Sequence, residues 1–144
     1  MPELMTSYSL TFQALMLIFA TLLVQNLVAT MAHRKQGRYT PGIIDPQLSH
    51  GSFVFRSHRT FINSLENLPL LLGPALIGIL SGFDALKLGV MCSIYAATRL
   101  IHMGLYYAIA TERNPSPRSY FYMVGLLVSI VQLVMVLIHV LRLP

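Results

Sequence analysis

Three short stretches of this chain carry polar side chains at helical spacing. Arg59, Asn63 and Glu66 are separated by four and then three residues. Arg99, His102 and Tyr106 follow at three and then four, and Arg118, Ser119 and Tyr122 fall within little more than one turn. Positions i, i+3, i+4 and i+7 share a helical face, so each stretch becomes a polar stripe once its segment is helical. An arginine-rich set of stripes suits a ligand that carries carboxylates. The lone glutamate, Glu66, would meet a ligand ammonium group or form a structural ion pair with Arg99. Arg118 and Ser119 would sit near a helix N-terminus, where free amides and the dipole favour an anion. No Gly-rich phosphate loop, nucleophile elbow or paired-carboxylate motif is present. His33, His50, His58 and His139 share no metal-ligand spacing and read as solvated or interfacial. Cys92 stands alone, which excludes an intramolecular disulfide and a cysteine-built zinc site. With the eight methionines it reads as apolar packing.

The elements that must position these residues are oily. Of 144 residues 55% are hydrophobic and 10% charged, where a soluble domain carries about 25% charged residues. That excludes an ordinary water-soluble globule and a disordered chain. The formal charge of +5 reads as membrane-flanking charge rather than a nucleic-acid surface. A spanning helix needs roughly 20 apolar residues, and four segments qualify: 10–32, 60–83, 88–111 and 119–141. Barrel strands would be shorter and would alternate, which runs such as 68–72 and 124–131 do not. The expected fold is therefore all-α, an integral membrane four-helix bundle in one domain over 1–144. Pro69 and Pro74 predict a kink or local break in the second span. The first span reads as retained rather than as a cleaved signal peptide.

The connections set orientation. Loops one and three hold Arg34, Lys35, Arg38, Arg56, Arg59, Arg113 and Arg118, while the opposite side holds Lys87 and Arg142. The positive-inside rule places loops one and three in the cytoplasm and both termini outside. The compact ends favour a bacterial inner membrane over the endoplasmic reticulum. The second and fourth spans start, and the first and third end, on the same side. Arg34, Arg59, Asn63, Glu66, Arg99, His102, Tyr106, Arg118, Ser119 and Tyr122 are thus expected in one cytoplasmic-side zone. Each has a plainer reading. Arg34 and Arg59 would be charged anchors, His102 a helix-packing histidine, and Tyr106 and Tyr122 belt aromatics. A shared depth across four helices argues for a site, because a charge inside a span costs about 2.5–3.5 kcal/mol and separate structural needs would not align such groups.

The same residues carry a family resemblance. Arg59-Thr-Phe-Ile-Asn63-Ser-Leu-Glu66-Asn67-Leu-Pro69 resembles the signature of the MAPEG proteins, the membrane-associated proteins of eicosanoid and glutathione metabolism. Arg99-Leu-Ile-His102-Met-Gly-Leu-Tyr106 is similar to the family's third-helix motif. Pro117-Arg118-Ser119-Tyr-Phe-Tyr122 is similar to the motif that opens its fourth helix. The order of motifs, the helix count and the length all agree. Phe61 and Ile62 depart from it, standing where other members carry polar or basic residues.

The resemblance implies a homotrimer that binds glutathione as co-substrate between subunits, open to the cytosol. Arg34, Arg59, Asn63, Glu66, His102, Tyr106 and Tyr122 would contact it, and Arg118 with Ser119 would stabilise its thiolate. A neighbouring guanidinium lowers a thiol pKa and so supplies the nucleophile. The implied activity is glutathione transfer to lipophilic electrophiles arriving through the bilayer, with glutathione peroxidase chemistry open to the same thiolate. A non-catalytic lipid-binding scaffold on this fold is the rival reading. A small transporter using Glu66 and Arg99 along a pathway is a third, which the lack of an internal repeat disfavours.

Overall fold

A computed structural model describes residues 2–144, and among them the only regular elements are helices. A short α1 (Pro2–Ser7) leads into four long helices: α2 (Ser9–Arg34), α3 (Phe53–Leu80), α4 (Ala85–Ala108) and α5 (Pro117–Val140). All four are long and apolar enough to cross a membrane. They form a four-helix bundle in which α4 packs on α2, α3 and α5, and α3 also packs on α2 and α5.

Inside and outside are both apolar here, so polarity rather than oiliness marks the inner faces. The buried positions of α2 are Thr11, Ala14, Leu15, Ile18, Thr21, Gln25 and Ala29, a three-four spacing dominated by small and polar residues. Those of α5 are Gly125, Ser129, Gln132 and Val136. The leucines, isoleucines and valines of α5 largely point outward. Water is no solvent for these faces, so close approach and interhelical hydrogen bonds replace hydrophobic burial as the cohesive terms. Gly125 is one such approach. A Cβ there would stand 3.2 Å from Thr98 Oγ1 on α4.

Local chemistry ends each helix. Gly82 takes φ +73° just past α3. Phe83 N–H donates to the Gly78 carbonyl and Gly82 N–H to that of Ile79, which closes a left-handed helix cap. Asp84 then caps α4 by accepting Lys87 N–H at 2.9 Å. Tyr8 donates its hydroxyl to the Phe83 carbonyl, and His139 Nε2 lies 3.0 Å from the Ser81 carbonyl. The α3–α4 hairpin therefore pins the start of α2 and the end of α5 at the end of the bundle away from loops one and three.

Two expectations are corrected. The second span begins at Phe53, seven residues before the expected 60, because the helix continues through the charged run that hydropathy leaves outside. And of the kink or local break expected at Pro69 and Pro74, the break does not occur, since α3 runs through both as one helix. On α5, Gln132 is fully buried and donates to the Leu71 carbonyl at 3.0 Å, within the turn whose ladder Pro74 interrupts. It also accepts from Cys92 Sγ. Gln132→Leu should therefore lower stability in detergent by about 1 kcal/mol, the scale of interhelical hydrogen bonds in membranes. Thermal unfolding checks this, and a midpoint at or above wild type would remove Gln132 as a tie.

Candidate functional site

The loop-one end of the bundle holds the polar residues, and it is built from α3 outward. Ser52 is extended and opens α3. One turn in, Arg56 is buried and donates to the carbonyls of His50 (2.7 Å) and Gly51 (3.0 Å). Its other nitrogen reaches the Tyr107 carbonyl in the last turn of α4 at 3.4 Å. A cation at that helix end meets unsatisfied carbonyls and the negative end of the dipole. Arg56 therefore staples loop one to two helices, which is why the helix runs through it.

That staple delivers His50. Its Nδ1 lies 3.3 Å from the Tyr106 hydroxyl and 3.3 Å from Arg118 Nη2. Its backbone N–H donates to Glu112 Oε1 at 2.9 Å, and its Nε2 is 3.9 Å from Glu112 Oε2. Arg118 also lies over the Tyr106 ring, 4.2 Å from the centroid, and donates weakly to the Thr111 carbonyl at 3.5 Å. Its Nη1 is buried with no hydrogen-bond partner. Arg59 is exposed and interacts electrostatically with Tyr106.

Arg118 owes its place to the start of α5. Pro117 occupies the first turn, Ser116 is the cap, and the Ser119 hydroxyl accepts Ser116 N–H at 3.2 Å. This is a reciprocal capping box. The Ser119 hydroxyl is thus engaged in holding the helix end that presents Arg118.

Deeper in the bundle lies a second group. Arg99 is buried and donates to Asn63 Oδ1 (2.6 Å) and Ser64 Oγ (3.0 Å). Its guanidinium lies 5.9 Å from the Tyr95 ring centroid, and Tyr122 interacts with it electrostatically. His102 joins the two groups, its ring 5.5 Å from that of Tyr106 and its Nδ1 buried without a partner.

The expected ion pair between Glu66 and Arg99 does not form within the chain. Among the described residues the close contacts of a carboxylate with a basic side chain are Lys87–Asp84 and His50–Glu112, the second an ion pair only when the imidazole is protonated. Glu66 is exposed on α3, while the amide of Asn63, one turn earlier, takes the guanidinium. Arg34 is also separate from the others. It lines a cavity of about 370 Å³ with His33, Tyr39, His58 and Phe61, on the side of α3 that packs near α2. So Arg59, His102, Tyr106 and Arg118 converge, Asn63, Arg99 and Tyr122 lie below them, and Arg34 and Glu66 face outward. His50 and Glu112 are the residues that spacing did not find. Each is a single polar residue in a polar loop, and only contacts across 56 and 62 positions reveal them.

Burial holds the His50 pKa below its ordinary value, and Arg118 lowers it further; Glu112 opposes, and Arg56 and Arg59 add to the lowering. A histidine whose folded pKa lies below its unfolded value of about 6.5 stabilises the fold fully above that pH. The contribution is lost as pH falls through the window below it. Thermal midpoints in detergent should therefore drop between pH 7 and pH 5, and His50→Gln should flatten that part of the profile. A profile unchanged by His50→Gln would show that the imidazole does not titrate in contact with Arg118.

Comparison with protein-family profiles matches residues 10–138 to the MAPEG family. The same chain gives no significant match among curated proteins or solved structures. The matched stretch takes in nearly all of α2 to α5 and every polar residue of the site, and the chain belongs to the MAPEG family.

Proposed function

We propose that this protein is a membrane-embedded glutathione transferase that works as a homotrimer. The observation that carries the reading is Arg118: a guanidinium at the start of α5, braced on Tyr106, with a buried donor that has no partner in the chain. A buried N–H without an acceptor is costly, and an anionic ligand atom relieves the cost. Glutathione supplies two carboxylates, an ammonium group and a thiol. Arg59 and the free ring nitrogen of His102 suit the carboxylates, Glu66 suits the ammonium, and Tyr106, Tyr122 and Asn63 supply hydrogen bonds. Arg34 opens away from this group within one chain, which fits a role at the site of a neighbouring subunit.

The chemistry follows from charge. A thiol near pH 7 is mostly protonated and a poor nucleophile. Arg118 stabilises the thiolate, and the sulfur lone pair attacks an electrophilic carbon while the leaving group departs with its electrons, or the pair shifts onto an acceptor atom in an addition. The same thiolate is the nucleophile a peroxidase reaction needs. Lipophilic electrophiles reach the site by partition into the bilayer. Ser119 acts through the cap that aims Arg118. Loops one and three face the cytoplasm in this reading, which gives glutathione its access.

Titrating the detergent-purified protein with glutathione, and following the ultraviolet difference band of a bound thiolate, tests the reading. Wild type should show a saturable band at neutral pH. Arg118→Ala should lose it and lower conjugation about 10²–10³-fold, the usual effect of removing one electrostatic stabiliser. Arg118→Lys should keep part of it, since the charge remains but the fork is lost. Absence of a wild-type band, with saturable fatty-ligand binding instead, would favour the non-catalytic lipid-presenting reading.

A further inference from the structure

Arginine stabilises a thiolate but has no lone pair with which to take the thiol's proton. Of the groups touching Arg118, the Thr111 carbonyl and the Tyr106 hydroxyl are very weak bases. The remaining one is His50. Because Arg118 can only donate, the Nδ1 it meets at 3.3 Å must be an acceptor, and Tyr106 O–H donates to the same atom at 3.3 Å. The ring proton is then on Nε2, which faces Glu112 Oε2 at 3.9 Å. Glu112 holds the residue a second time through its backbone N–H. A carboxylate, an imidazole and an arginine with a free donor therefore stand in sequence from solvent to site.

We propose that His50, oriented by Glu112, is the base that accepts the proton of the glutathione thiol. The proposal rests on the transferase reading and adds to it. As the thiol reaches Nδ1, the two long contacts from Arg118 Nη2 and Tyr106 O–H give way to it, the S–H bond breaks and an Nδ1–H bond forms. The electron pair stays on sulfur beside Arg118 Nη1. The Nε2 proton passes to water beside the Glu112 carboxylate, whose charge favours its departure, which leaves the imidazole neutral again in its other tautomer; exchange with water restores the first. No other reactant is consumed. The route to water is open, because the side chains of His50 and Glu112 are 24% and 63% exposed.

The groups around His50 make it suited to the task. Arg56, Arg59 and Phe55 face it from α3, Tyr106 from α4, Arg118 from α5, and Glu112 from the connection between α4 and α5. Burial and the arginines favour the neutral form, so the base is free at neutral pH. The same cations make the protonated form short-lived. Glu112 is a positioning residue, and its carboxylate acts on the thiol only through the imidazole.

Rapid mixing of glutathione with the detergent-solubilised full-length protein, recording the thiolate band and proton release together, tests this. In His50→Ala the band should reach a similar amplitude, since Arg118 remains, but form about 100-fold more slowly, the scale of general-base catalysis. The residual rate should rise in proportion to hydroxide, whereas the wild-type rate should be flat at neutral pH and fall only in acid. Added imidazole should restore the rate in His50→Ala, which a purely structural loss would not allow. Glu112→Gln should slow the step less. If His50→Ala does not hold the fold, His50→Gln keeps a planar polar group without a base and should show the same slowing. A wild-type rate and pH profile in the variants, or a slow rate that imidazole does not restore, overturns the proposal while a wild-type band leaves the transferase reading standing. No band in wild type removes both.

Discussion

Arg99 is a cation buried at membrane depth with no carboxylate in contact, and the bundle is arranged around satisfying it. Such a charge has no water to turn to, so it must find acceptors on neighbouring helices or distort the membrane. It finds them on α3, in Asn63 Oδ1 and Ser64 Oγ, with the Tyr95 ring alongside. That fixes the register of α4 against α3. Since α4 packs on all three other long helices, the register of the site follows from it. His102 and Tyr106, one and two turns further along α4, are carried to the loop-one end. There they meet what α3, α5 and the loops present.

Cohesion elsewhere follows the same constraint. Leucine gains little by leaving a bilayer for a protein interior, so the inner faces interleave threonine, serine, glutamine and glycine with buried apolar residues such as Leu15, Leu71 and Leu88. Gln132 on the Leu71 carbonyl and Thr98 against Gly125 are instances. At one end of the bundle, ties through Tyr8, Ser81, Phe83 and His139 hold a tight hairpin. At the other, Arg56 holds a long loop down by its carbonyls. The first end is closed and structural. The second keeps buried donors on Arg118 and a buried nitrogen on His102 that nothing in the chain engages.

Much of the site was legible as spacing. Arg59, His102, Tyr106 and Arg118 share helical faces in the sequence, and they converge in the fold. Glu66 and Arg99 illustrate the limit of that argument. A shared face leaves the pairing of residues open, because helix rotation decides whether Asn63 or Glu66 looks at Arg99. Residues three apart on a helix differ in direction by about 60°, and that small rotation brought the amide rather than the carboxylate to face Arg99. Arg34 shows the same limit between helices, since equal depth does not put two residues on one side of a helix.

The sequence by itself determined that there are four apolar helices, which family they belong to, and which arginines and tyrosines lie near one membrane face. Those properties reside in composition and short-range periodicity, which each segment carries alone. Only the tertiary structure decided that α3 begins at Phe53, that Asn63 rather than Glu66 receives Arg99, and that His50 and Glu112 stand beside Arg118. Those depend on contacts between residues tens of positions apart. A lone histidine in a polar loop has no periodicity, and its meaning comes from the arginine and carboxylate that folding brings to it.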